Sequence, residues 1–283
     1  MIIRTPEPTG ENGPAGQRPR STLAGVRPDD HTVACRGLCR VCGREHVLYD
    51  NGARRYGLEL MDLLRSRRSL DLRGAAPDHE PRLSTDWLYG EARGKMFGVM
   101  ECLAPDGSRR ILRAFSGQYN GLWEIDGWAP PLFDSRKLTA ISAATEAEIK
   151  ELGMELAAAG GDPERSRILR RCRRRLSQDL MRQIHGLYRL TNFHGREASL
   201  SAACGSGSGI PTGTGDCCAP KLLNLAARSN LVPLGMAEFF WGRSNRSESR
   251  EEARFYPSCA EKCAPILGFM LCGLEARHAD IVG

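Results

Sequence analysis

The turn Gly213-Thr-Gly-Asp-Cys-Cys-Ala-Pro opens an apolar helical run to about Ser229; a continuous apolar run, "LVPLGMAEFFWG", follows. "FYPSCAEKC" then opens a second helical run. A strand that apolar lies inside a sheet covered on both faces, and helices before and after it supply the cover. This order predicts an α/β fold, a mixed sheet with flanking helices. It also puts thiols at two helix starts, where free N–H groups and the helix dipole favour thiolate. Cys217 or Cys218 with Cys259 and Cys263 makes a three-thiolate zinc site with one position open. Adjacent helical residues point about 100° apart, so one of Cys217 and Cys218 faces such a site and the other does not. Buried thiols that pack as small hydrophobes, or a redox pair, remain alternative readings. Asp216 and Glu238 are the nearest carboxylates and the candidates for proton transfer. Asp216 also suits an N-cap, and an inward Glu238 needs a partner, for which Lys221 or Lys262 is available.

Upstream, "KMFGVMECL" and "RRILRAFSG" flank Ala-Pro-Asp-Gly-Ser and read as a hairpin, with "GLWEIDGW" continuing the sheet. Residues 138–185 read as an inserted helical hairpin broken at Gly160-Gly161. Asp162 is the expected N-cap of its second helix and Pro163 the first helical residue. The apolar stripe of that helix is Leu169, Cys172, Leu176, Leu180 and Ile184. "LYRLTNFHGREASL" resembles a further hairpin. Residues 1–30, rich in Pro, Gly and Arg, read as a disordered leader. Residues 31–92 read as a Cys-rich element, a short helix with Leu58, Met61 and Leu64 on its apolar face, and a linker; 93–283 reads as the α/β domain.

The Cys-rich element carries Cys35, Cys39, Cys42 and His46. Cys-x2-Cys followed by Gly43 resembles a zinc-knuckle turn, and four donors within twelve residues are able to close a structural zinc site. A chance cluster in a flexible segment and a site shared with distant residues are the alternatives, since so short an interval wraps one ion with difficulty.

The charge is concentrated. The chain carries a net +6, and residues 164–175, "ERSRILRRCRRR", hold seven arginines against one glutamate. That segment alone sums to the whole excess. Arginines this dense fit a phosphate-rich ligand, because the guanidinium binds phosphate bidentately and stacks on bases; a solvated face on an amphipathic helix is the alternative reading. Arg167, Arg170, Arg171, Arg173, Arg174 and Arg175 are the candidate RNA contacts. No run approaches the roughly 20 apolar residues of a membrane span, so no membrane partner is expected. Without an apolar signal segment at the N-terminus, the expected compartment is a reducing cytoplasm. There, eleven cysteines are better suited to metal binding, catalysis or burial than to disulfides.

The arrangement of thiols at two helix starts around a strand resembles the zinc-dependent cytidine/nucleotide deaminase fold. That resemblance implies a deaminase-like layer arrangement and a metal-activated water acting on a nucleobase or nucleotide. It departs in two places. The second motif is Cys-x3-Cys, and the position of the family's general acid/base glutamate falls on Ala219 or Pro220. In detailed sequence, "GKMFGVMEC", "LRAFSGQ", "GTGDCCAPKLLNLA", "PLGMAEFFWG" and "FYPSCAEKCAPILGFML" resemble the N-terminal, non-catalytic region of large bacterial RluA-class pseudouridine synthases, over about residues 90–275. The resemblance implies an RNA-modification context, RNA binding, and a separate modification enzyme as a partner. The Arg-Leu-Asp motif of the family's catalytic domain does not occur in the sequence, so synthase activity is not expected of this chain.

Overall fold

In a computed structural model, residues 32–72, 80–205 and 209–282 are described. The expected leader, 1–30, lies outside them. The first elements are strands where the sequence offered only a cysteine cluster: β1 (Val33–Leu38) and β2 (Glu45–Tyr49) pair antiparallel around the Cys39–Arg44 turn. Helix α1 (Arg54–Arg67) follows. Its buried face is Gly57, Leu60, Met61 and Leu64, so the apolar stripe is shifted from the expected one and Leu58 is exposed. Gly57 is required there because a Cβ would meet the Phe255 ring at 2.6 Å.

Residues 80–92, read as linker, form two short 3-10 turns at Pro81–Leu83 and Thr85–Leu88. They are anchored, since Leu70 and Leu88 are fully buried and Trp128 Nε1 donates to the Leu70 carbonyl at 2.8 Å.

The expected hairpin is β3 (Lys95–Leu103) with β4 (Arg109–Phe115). "GLWEIDGW" does not extend the sheet; it turns, with Tyr119 and Leu122 in an isolated bridge. The helical hairpin is α2 (Ser135–Ala158) and α3 (Pro163–Leu187). Asp162 caps α3 through the Glu164 and Arg165 N–H groups, as its position before Pro163 predicts. Leu169 and Leu180 of the expected stripe are buried, and Cys172 is exposed. Then come β5 (Leu190–Thr191) and β6 (Glu197–Ala198), the further hairpin, and α4 (Leu200–Cys204). The last part is α5 (Cys218–Arg228), β7 (Val232–Trp241), β8 (Phe255–Tyr256), α6 (Ala264–Leu271) and α7 (Leu274–Val282).

The main sheet runs β4-β3-β7-β8 with helices around it, which is the expected class. Every pairing in it is antiparallel, where a mixed sheet was expected. Strand periodicity of two sorts its residues between two cores. Phe97, Val99, Phe115, Phe239 and Trp241 face α1, Leu70 and Leu88. Met100, Cys102, Ala114 and Met236 face α5, α6 and the β1–β2 hairpin. Both cores include residues 32–72, so the Cys-rich hairpin and α1 share their packing with the sheet.

Candidate functional site

The metal-binding set is assembled by a close backbone contact. β1 lies directly on α6, made possible by glycine on both sides. A Cβ on Gly37 would lie 2.5 Å from the Ala264 carbonyl oxygen, and one on Gly268 2.5 Å from the Cys39 nitrogen. Cys272 is four residues beyond Gly268, hence one turn along the same face, at the C-cap of α6. It therefore meets the knuckle.

The turn itself is closed by Cys39 N–H to the Arg44 carbonyl and Gly43 N–H to the Cys39 carbonyl, both 2.8 Å. Gly43 takes φ +71°, which a side chain resists. The donor atoms of Cys39, Cys42, His46 and Cys272 all lie within 4.8 Å of one another. Tetrahedral ligands at about 2.3 Å from zinc stand about 3.8 Å apart, so small inward movements close the site on an ion. This cluster can hold a metal ion. His46 Nε2 is 3.2 Å from Cys42 Sγ, while Nδ1 turns outward, 3.6 Å from Glu275. That separation is beyond a hydrogen bond, and Nδ1 is buried without a partner among the described residues. The Arg44 backbone N–H lowers the Cys42 thiol to about 7. Burial and the neighbouring Cys42 push Cys272 up to about 12. A bound cation draws such thiols to thiolate and releases their protons.

Cys35 was expected in this set and is not. It shares the buried face of β1 with Gly37 but lies four residues before Cys39, about 13 Å back along the strand, too far to join the cluster; burial and Glu238 raise its pKa. The fourth donor is Cys272, more than two hundred residues away in sequence, which local spacing does not reveal.

The second thiol centre forms where the two helix starts were expected to meet. Cys217 is the N-cap residue of α5 and Cys263 that of α6. Pro265 falls in the first turn of α6, so the helix begins later than its Pro-Ser-Cys sequence implied. The Cys217 thiol lies close enough to those of Cys259 and Cys263 for both to act on its titration. The Cys259 contact favours its thiolate, but the Cys263 contact and burial outweigh it and leave its pKa raised. These three donors do not all close to within 4.8 Å; among the described residues only the Cys39 set does. Cys218 points away, into the sheet, with Sγ 3.3 Å from the Met96 carbonyl and 3.7 Å from that of Ala114. Gly98 makes room, since a Cβ there would sit 2.7 Å from Cys218 Cβ.

Glu238, buried on β7, meets this centre. It accepts from the Ala219 N–H at 3.0 Å and from Ser258 Oγ at 2.8 Å. Burial pushes its pKa up to about 7 against those two hydrogen bonds. Its partners are thus a helix N-terminus and a hydroxyl, not Lys221 or Lys262. Lys221, which reads as an exposed helix residue, is fully buried. Its Nζ donates to the Phe115 and Gly117 carbonyls at 3.0 and 2.6 Å and lies 4.6 Å from the Phe115 ring centre. Burial lowers it to about 8. Asp216 does not cap α5. Its Oδ1 accepts from Tyr188 Oη at 2.6 Å, and burial raises its pKa. Asp216 and Glu238 share no hydrogen-bond partner.

The arginines line α3. Arg165, Arg167, Arg170, Arg171 and Arg173–Arg175 are all exposed. Arg167 pairs with Glu164 at 3.1 Å, and the other six form no ion pair among the described residues. No helix among those residues is long and apolar enough to cross a membrane. Comparison with family models, with curated proteins and with solved structures gives no match to this chain.

Proposed function

We propose that this chain is a zinc-bearing RNA-binding domain that serves RNA modification in the cytoplasm. Zinc occupies the Cys39, Cys42, His46 and Cys272 cluster, whose three sulfurs and one imidazole are the donor set of structural zinc sites. Its role is to tie the β1–β2 hairpin to α6. The observation that carries the RNA reading is α3, where six exposed arginines form no ion pair among the described residues. Like charges are kept that close on one helix at a cost in stability, and phosphates relieve it. The chain holds the RNA while a separate enzyme of the pseudouridine synthase type acts on it.

The test is RNA affinity of the full chain against salt, for wild type and an Arg170→Ala/Arg171→Ala/Arg173→Ala/Arg174→Ala variant. Loss of four phosphate contacts lowers the log–log salt slope by about 3 for single strands. An unchanged slope with unchanged folding overturns the reading.

A second reading is a deaminase-like enzyme. It is favoured by Glu238, a buried carboxyl at about 7 beside Ser258 and the Cys217, Cys259 and Cys263 thiols. A carboxyl poised near neutral pH suits proton transfer. Ammonia release from nucleosides, nucleotides or RNA that disappears in Glu238→Gln, with metal retained, is its signature.

A further inference from the structure

A cavity of about 420 Å³ lies at the root of the α2–α3 hairpin, between the first turns of α2, the last turns of α3 and the Thr212–Asp216 turn. That volume is in the range of small-molecule sites, roughly 300–1,000 Å³. We infer that it receives a single unstacked nucleobase of the RNA strand held along α3, preferring bases with an exocyclic amino group. The inference rests on the RNA-binding reading and adds to it where the strand is read.

The walls suit a planar ring. Trp123 and Tyr188 line the cavity and are both locked against Phe133, at ring-centre distances of 5.0 and 4.8 Å. Locked aromatic faces stack on a base without losing rotamer freedom when it arrives. The polar lining includes Gln118, Ser142, Glu146, His185 and Asp216, with the hydroxyls of Thr139 and Thr212. Asp216 Oδ1 is held by Tyr188, and Oδ2 has no hydrogen-bond partner among the described residues. His185 Nε2 is also left without one, buried at the wall. A carboxylate oxygen accepts hydrogen bonds, and the ring nitrogen of a neutral imidazole accepts one in one of its two tautomers, so they match the amino groups of guanine, adenine and cytosine. Uracil has no amino group to offer.

The route into the cavity follows from helix periodicity. At about 100° per residue, positions 167, 170, 174, 181 and 185 fall within about 60° of one another on α3. Arg167, Arg170 and Arg174 therefore share a stripe with Met181 and His185, both of which line the cavity. The rise from Arg174 to His185 is about 16 Å, a span that a few nucleotides cover. A strand whose phosphates follow the arginines thus arrives at the cavity mouth.

The test uses adenosine, guanosine, cytidine and uridine, which lack the phosphates that would bind the arginines, together with a short single-stranded RNA. Binding to the full chain is read by saturation-transfer NMR and tryptophan fluorescence. The expected result is saturable binding of the three amino-bearing nucleosides, at least about tenfold stronger than uridine. Ala143→Trp, at an exposed helix position on the cavity wall, fills the space and removes nucleoside binding without lowering the melting temperature. It also weakens RNA binding at least about tenfold. Asp216→Asn narrows the preference over uridine. If no nucleoside binds, or Ala143→Trp binds as wild type does, the inference fails. It fails also if Ala143→Trp loses nucleosides but keeps full RNA affinity. The fourfold arginine variant separates this from the wider reading, because it loses RNA while still binding nucleosides.

Discussion

Glu238 and Cys272 show how a single residue changes meaning with its surroundings. Glu238 is an acid whose folded-state pKa, about 7, lies above its ordinary value of 4.5. The native state then holds the proton more tightly than the unfolded chain. Stability falls as pH rises from about 4.5 to about 7, by roughly 3 kcal/mol if the carboxyl ionises in place. Glu238→Gln keeps an oxygen for Ala219 and Ser258 and removes the charge. Its melting temperature is expected to exceed that of wild type at pH 8 and to match it near pH 4, which thermal unfolding across pH checks. Cys272→Ser is expected to lower bound zinc by one equivalent per chain and to lower the melting temperature. Cys35→Ser leaves the zinc in place. Metal content of protein purified without added metal or chelator decides between them, and zinc retained in Cys272→Ser removes the cluster as its site.

At the scale of elements, the contact between β1 and α6 matters most, because it brings a knuckle and a distant cysteine together. Gly268→Ala places a methyl group against the Leu38 and Cys39 backbone. Backbone cannot yield as a side-chain tip can, so the strand shifts off the helix at about 1–3 kcal/mol or more. The expected outcome is a destabilised chain with weakened zinc affinity, measured by denaturant titration and by competition with a chelator. Full zinc affinity in this variant would mean that the two elements can separate without opening the site. Similar reasoning accounts for Lys221. It ties α5 to the end of β4 through two carbonyls, a structural role in which its charge is retained by hydrogen bonding and by the Phe115 ring.

Across the whole molecule, the α2–α3 hairpin stands apart from the sheet. In two helices of 24 and 25 residues only Leu138, Ser142, Leu169 and Leu180 are buried, whereas β7 is buried along nearly its whole length. Regions with few buried contacts open locally at low free energy. Amides of the outer half of the hairpin are therefore expected to exchange at least about a hundredfold faster than those of β3 and β7, and RNA is expected to slow them. Hydrogen exchange with and without RNA tests this, and protection confined to the sheet would count against α3 as the contact surface.

The sequence by itself determined the elements whose cause is local. Two runs flanking a Pro-Asp-Gly turn made β3 and β4, Asp162-Pro163 began α3, and continuous apolar character buried β7. It also placed the arginines on one helix and thiols at two helix starts. What tertiary structure alone decided was direction and company. Cys217 turns toward Cys259 and Cys263 while Cys218 turns into the sheet, a difference of about 100° that no spacing rule resolves. Cys35 and Cys39 share a face of one strand but stand about 13 Å apart along it, and Cys272 enters the cluster because two glycines let a strand lie on a helix. Lys221 reads as a surface lysine until the carbonyls that hold it are in place. Local propensity acts over a few residues, whereas donors converge through contacts between distant segments, and those exist only once the core has formed.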